Sequence, residues 1–231
     1  MEHTVMSKKG LYGYLVSEVL LLCLIEVGKV CGWSVQAVRI LMYSAILINT
    51  IIVGYYFCHA GTNRTKSSDR LVAYAIFTTA AADFFMTLIG VERGFLPGII
   101  LFCSVQIIYA LYLRLTIKVL LLRIAFFAAG LMALNMAGML SLSNALGFLD
   151  LTLLLVNAVI AWMPVGTKTS LLFRIGITLF LCCDLSITCR DLMIGDMHAM
   201  IDFLVWIFYI PSQVAITLSY LYSEHQQPLA Y

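Results

Sequence analysis

Long apolar runs broken by short polar interruptions make up most of the chain, and eight of them approach the ~20 residues that a helix needs to cross a bilayer. They fall roughly at 11–28, 37–58, 70–90, 95–113, 117–138, 145–163, 169–189 and 199–222. The connections between them are short, so the expected architecture is all-α: a single domain over 1–231, folded as one bundle of eight transmembrane helices. The fifth and sixth runs are the least clearly separated, because their junction, Ser141-Leu-Ser-Asn-Ala-Leu-Gly147, is barely polar. The first run has no small-residue cleavage site and further spans follow it, so it reads as a retained helix rather than a signal peptide.

Composition supports a polytopic membrane protein. The chain is 62% hydrophobic and 11% charged, whereas roughly half apolar and a quarter charged is usual for a soluble domain. A net charge of +2 with no Lys/Arg run gives nucleic acid nothing to bind. The seven cysteines lie in or beside apolar runs without CxxC spacing, and read as small buried thiols rather than a disulfide framework or zinc site. His59, His198 and His225 belong to no metal-binding spacing, so neither a metal nor a cofactor is expected.

Lys and Arg are distributed asymmetrically. Lys8, Lys9, Arg64, Lys66, Arg70, Arg114, Lys118 and Lys168 flank the amino terminus or the even-to-odd loops, while Lys29, Arg39, Arg93 and Arg190 lie on the opposite side with Glu92, Asp191, Asp196 and Asp202. The positive-inside bias then predicts a multi-pass protein of the cell membrane with both termini in the cytoplasm.

Two aspartates break the apolar pattern where it matters most. Asp83 lies in AAADFFMTLIG and Asp184 in GITLFLCCDLSITCRD. An ionised Asp at the centre of a membrane helix costs ~2.5–3.5 kcal/mol on insertion scales, so such a residue faces a bundle interior or a wet cavity and marks function. At ~1.5 Å per residue, both should sit roughly 9 to 14 Å below the outer helix ends. Each has a Thr four residues on, Thr87 and Thr188, over the same helix face. The next helix in each case carries a glutamine, Gln106 or Gln213. This recurrence is compatible with two parallel four-helix halves, in which case the two carboxyl groups face each other across a pseudo-twofold axis along the membrane normal.

The motif Gly176-x-x-x-Phe180-x-x-Cys183-Asp184, followed by Tyr209-x-x-x-Gln213, resembles the YhhN-like family of lysoplasmalogenase-type membrane proteins. Ala82-Asp83, Gly98, Phe102 and Tyr109 are similar to that family's positions in the third and fourth helices. The resemblance covers roughly residues 70 to 220. It implies an eight-helix membrane enzyme that cleaves the vinyl ether bond of lysoplasmalogen, yielding a fatty aldehyde and glycerophosphoethanolamine or glycerophosphocholine. The chain departs from the family pattern at Cys183, where Ser is frequent, at Gln106, where His is frequent, and at Val156, where Tyr is frequent. The Lys common at the start of the second helix has no clear counterpart, Arg39 being nearest.

Vinyl ether hydrolysis starts with protonation of an alkene carbon to give an oxocarbenium ion; water then adds and the hemiacetal collapses. It needs one carboxylic acid and one carboxylate, the division of labour found in glycosidases, and two Asp in a shared low-dielectric cavity can hold one proton between them. Asp184, among Leu181, Cys182, Cys183 and Leu185, is the expected acid, yet Asp83 between Ala82 and Phe84 is hardly different and the assignment stays open. Gln106, Gln213, Tyr109 and Tyr209 are candidates to orient water, ether oxygen or carboxyl groups. Packing at the interface explains Tyr109 equally well, and helix-to-helix hydrogen bonding explains the glutamines equally well.

Among other polar residues, Glu18 is deep enough to be a third site carboxylate, Glu26 is expected to pair with Lys29, and Asp150 is expected to be solvated near the outer start of helix six. Asn49, Asn135 and Asn157 read as interhelical glue. Arg39, Arg93 and Arg190 suit a lipid phosphate, although snorkelling explains them as well. No GxSxG elbow or phosphate-cradling glycine loop is present. The runner-up function is a small transporter using Asp83 and Asp184 as a proton or cation relay; interrupted helices at the carboxylates would favour it, and both residues lie in unbroken apolar runs. The expected partners are the lysophospholipid substrate and the bilayer, and the sequence leaves the oligomeric state open.

Overall fold

Eight helices, with no strand among the described residues, follow the apolar runs: α1 (Lys8–Val30), α2 (Val35–His59), α3 (Ser67–Asp83), α4 (Val91–Tyr112), α5 (Ile117–Met136), α6 (Leu142–Trp162), α7 (Leu171–Leu192) and α8 (His198–Ser223). This computed structural model describes residues 6–59, 67–114, 116–163, 169–192 and 198–223; Arg64, Lys66, Lys168, Asp196 and His225 lie outside them. Eight of the described spans are long and apolar enough to cross a membrane, which makes this a multi-pass membrane protein.

Local chemistry sets the helix ends. Serine hydroxyls accept first-turn amides at four starts: Ser7 from Gly10 (3.1 Å), Ser34 from Ala37 (3.2 Å), Ser141 from Asn144 (3.1 Å) and Ser170 from Phe173 (3.2 Å). At the barely polar junction between α5 and α6, Gly138 takes φ +67° and lets the Met139 amide reach back to the Leu134 carbonyl at 2.9 Å. Ser141 then starts α6 at Leu142, a few residues earlier than the hydropathy pattern implies. α4 likewise starts earlier than expected, at Val91 directly after Gly90.

The third span is interrupted. After Asp83 the backbone widens into a π-helical segment, Phe84–Ile89, closed by the Gly90 amide on the Phe85 carbonyl at 3.1 Å with Gly90 at φ +88°. Its seat on α4 is made by Gly94 and Gly98, a small-xxx-small pair of the kind that lets membrane helices approach closely. A Cβ on Gly94 would lie 1.8 Å from the Phe85 carbonyl oxygen, and one on Gly98 would lie 2.5 Å from the Met86 side chain. The run that looks unbroken in sequence is therefore not a continuous α-helix at Asp83.

Helix packing follows the proposed halves closely. Exchanging each helix of the first four with the one four later maps α1–α2 onto α5–α6, α2–α3 onto α6–α7, α3–α4 onto α7–α8, and α2–α8 onto α6–α4, all of which are packed pairs. Two of the pairs are less well matched: no close backbone approach of α5 to α4 answers α1–α8, and the counterpart of α3–α8 is made by side chains alone, Phe102 and Tyr109 of α4 against Phe180 and Phe173 of α7. One end of the bundle is tied by ion pairs, with Lys29 on Glu26 at 2.9 Å, as expected, and Asp202 joining Lys29 at 3.5 Å to Arg190 at 3.1 Å.

Candidate functional site

Asp83 is buried at the point where α3 gives way to the π segment, and its Oδ2 accepts a hydrogen bond from the Tyr209 hydroxyl on α8. Rings on two elements hold Tyr209 in place: Phe180 of α7 meets it edge-on at 5.7 Å and Trp206 does so at 5.7 Å. Phe180 is itself backed by Phe102 of α4 at 6.0 Å. The close approach of α7 to α8 requires Gly176, where a Cβ would lie 2.7 Å from the Ile216 side chain and 3.1 Å from the Ser212 carbonyl. The glycine and phenylalanine of the GxxxF motif thus serve to place Tyr209 against Asp83.

Asp184, half-buried on α7, lies within electrostatic range of Asp83. Its closest acidic neighbour is on another helix: the carboxyl group of Asp150 on α6 lies close enough to that of Asp184 for the two to interact directly. The expectation that Asp150 is solvated is wrong, since it is only 4% exposed. The reason is the early start of α6, which at ~1.5 Å per residue puts Asp150 about 12 Å inside the helix end. Cys103 of α4 faces Asp150 and points its thiol at the Leu146 carbonyl at 3.8 Å. Cys183 is buried beside both Asp83 and Asp184.

Two carboxyl groups in direct contact cannot both ionise cheaply, and Asp83 receives a hydrogen bond from the Tyr209 phenol. Three carboxyl groups, those of Asp83, Asp150 and Asp184, thus meet in one cluster. Among the described residues, no group of three or more His, Cys, Asp or Glu is arranged to hold a metal ion.

The remaining candidates are spread more widely. Thr87 is buried on the π segment, while the Thr188 hydroxyl donates to the main-chain carbonyl of Asp184 at 2.9 Å rather than to its carboxyl. Gln213 is buried one turn along α8 from Tyr209 and reaches Ser212 Oγ at 3.4 Å. Gln106 and Tyr109 sit deeper on α4: the Asn157 amide donates to the Gln106 carbonyl at 2.8 Å and to its Oε1 at 3.2 Å, and Tyr109 packs edge-on against Phe173. Glu18 is buried in a separate cluster on α1 and α2, where the Asn49 amide donates to its Oε1 at 2.9 Å and the Tyr14 hydroxyl donates to Asn49 Oδ1. The third carboxyl group of the site is Asp150. Its signal in the sequence was its setting, Leu149-Asp150-Leu151, as apolar as that of the other two.

The sequence profile of the YhhN family matches residues 33–220 of the chain, which takes in α2 to α8 and every residue of the acid cluster. Comparisons with curated proteins and with solved structures gave no match.

Proposed function

Since the chain belongs to the YhhN family, we propose that it is a lysoplasmalogenase-type hydrolase that cleaves the vinyl ether bond of a lysoplasmalogen inside the membrane. The observation that carries this reading is the Asp150–Asp184 carboxyl pair beside a phenol-capped Asp83.

The proton shared by Asp150 and Asp184 goes to the alkene carbon remote from oxygen, and the resulting oxocarbenium ion is stabilised by the Asp83 carboxylate. Asp83 then takes a proton from water as the water oxygen bonds to the cationic carbon. The hemiacetal breaks its bond to the glycerol oxygen, which takes up a proton as the hemiacetal hydroxyl gives one up, leaving a fatty aldehyde and a glycerophospho-alcohol. One water is consumed, and the proton that Asp83 took from it returns to the acid pair, with no covalent intermediate on the protein. The Tyr209 hydroxyl fixes the carboxylate through the cycle.

One observation favours a second reading. The π-helical interruption directly after Asp83 is the kind of local irregularity found at functional sites, and discontinuous helices are how transporters build ion sites. Purified protein supplied with a lysoplasmenyl lipid separates the two: release of free aldehyde supports the hydrolase. Proton movement across liposomes with no aldehyde release replaces it with a relay through Asp83 and Asp184.

A further inference from the structure

Arg123 is a cation at membrane depth without a countercharge. It lies about 9 Å along α5 from the helix start, is 5% exposed, and has no carboxylate paired with it among the described residues. One nitrogen, Nη2, donates to Asn157 Oδ1 of α6, while Nε has no partner. Asn157 in turn donates to Gln106 of α4, whose own Nε2 is buried without an acceptor. One turn further on α4, the buried Tyr109 hydroxyl also lacks a partner. Three buried donors from two helices, one of them on a guanidinium, thus lack acceptors. Buried charges are expected to be paired, and a planar guanidinium fits a phosphate.

The backbones of α4 and α5 each approach α6 and not one another, and Asn157 of α6 links Arg123 of α5 to Gln106 of α4. Asp150 and Asn157 are two turns apart on one face of α6, and both face α4, through Cys103 and Gln106 respectively. We infer that Arg123, Asn157 and Gln106 bind the phosphate of a lysophospholipid whose ether bond lies at the acid cluster.

The length match rests on the reading of that cluster as the hydrolytic centre. Asp150 and Asn157 are separated by about 10 Å along the helix. Five bonds join the ether oxygen of a lysophospholipid to its phosphorus, an extended reach of roughly 6 Å. With a hydrogen bond of roughly 3 Å at each end the full reach is about 12 Å, enough to span that separation without full extension. Arg39, Arg93 and Arg190, the residues that the sequence offers for a lipid phosphate, lie elsewhere, and Arg190 is paired with Asp202 at 3.1 Å.

Binding of uncleavable lipids to the full chain in detergent tests the inference independently of catalysis. A 1-O-alkyl lysophospholipid, which has no vinyl double bond, is compared with the matching 1-O-alkylglycerol, which has no phosphate. The wild type should bind the phosphorylated lipid at least tenfold more tightly, and Arg123→Gln should reduce that ratio to near one while leaving alkylglycerol binding unchanged. A wild-type ratio near one would overturn the assignment, and so would an unchanged ratio in Arg123→Gln; if that variant does not fold, the wild-type ratio alone decides. Inorganic phosphate should compete only weakly, whereas full displacement at low concentration would mean that the ligand is free phosphate, not a lipid. Absence of aldehyde release from a vinyl ether lipid would sink the hydrolase reading without altering these ratios.

Discussion

The Asp150 carboxyl on α6 lies in direct reach of the Asp184 carboxyl on α7. In the proposed mechanism the pair shares one proton and supplies the acid. Replacing one carboxyl by an amide keeps the volume and a donor but removes the sharing. Asp150→Asn should lower aldehyde release from a lysoplasmenyl lipid by about 10²-fold or more, the usual contribution of a positioned general acid. A kinetic assay on protein of normal folded yield checks it; a rate within a few-fold of wild type would remove Asp150 from the chemistry.

Tyr209 tests the other arm of the cluster. Tyr209→Phe keeps the ring packed between Phe180 and Trp206 but deletes the hydroxyl that donates to Asp83. A hydrogen bond to a charged group is worth ~1.5–3 kcal/mol, so the rate should fall by roughly tenfold to a hundredfold. Thermal unfolding in detergent should change little, because the packing is retained.

Much of the fold was legible in the sequence because each span is a continuous apolar run, and helix number follows from counting such runs. Paired aspartates were legible for the same reason: a carboxylate in such a run stands out. Asp150 was misplaced because its depth depends on where α6 starts, and Gly138 and Ser141 start it in a stretch that hydropathy hardly distinguishes from its neighbours. The π segment left no hydropathy signal, since it arises from how Phe85 and Met86 seat on Gly94 and Gly98. Arg123 stood in view, within Leu-Leu-Leu-Arg-Ile, but its partners on α4 and α6 are set by packing.

Glycine contacts give a stability contrast. Gly94→Leu would drive a Cβ into the Phe85 carbonyl, 1.8 Å away, and should displace the π segment, lowering both folded yield and melting temperature. Gly54→Ala is the control: its nearest contact is Phe77 at 3.7 Å, ordinary packing, so the melting temperature should be unchanged or slightly higher. Fluorescence-detected size exclusion after a heating series reads both.

Orientation is open to labelling. If the positively charged end is cytoplasmic, exposed Cys31 in the α1–α2 turn faces outward and exposed Cys58 near the end of α2 faces inward. In single-cysteine versions, a membrane-impermeant maleimide added to intact cells should modify Cys31 and leave Cys58 unmodified until the cells are permeabilised. The reverse pattern would invert the topology.

Asparagine substitution of the two original aspartates is the most direct measurement of the central claim. Aldehyde release from a lysoplasmenyl lipid is measured for wild type, Asp83→Asn and Asp184→Asn, each purified in detergent with folded yield compared alongside. An acid and a base in one cluster predict that the wild type releases aldehyde and that each variant, although folded, releases none above background. Wild-type activity in either variant would contradict the paired-carboxyl mechanism.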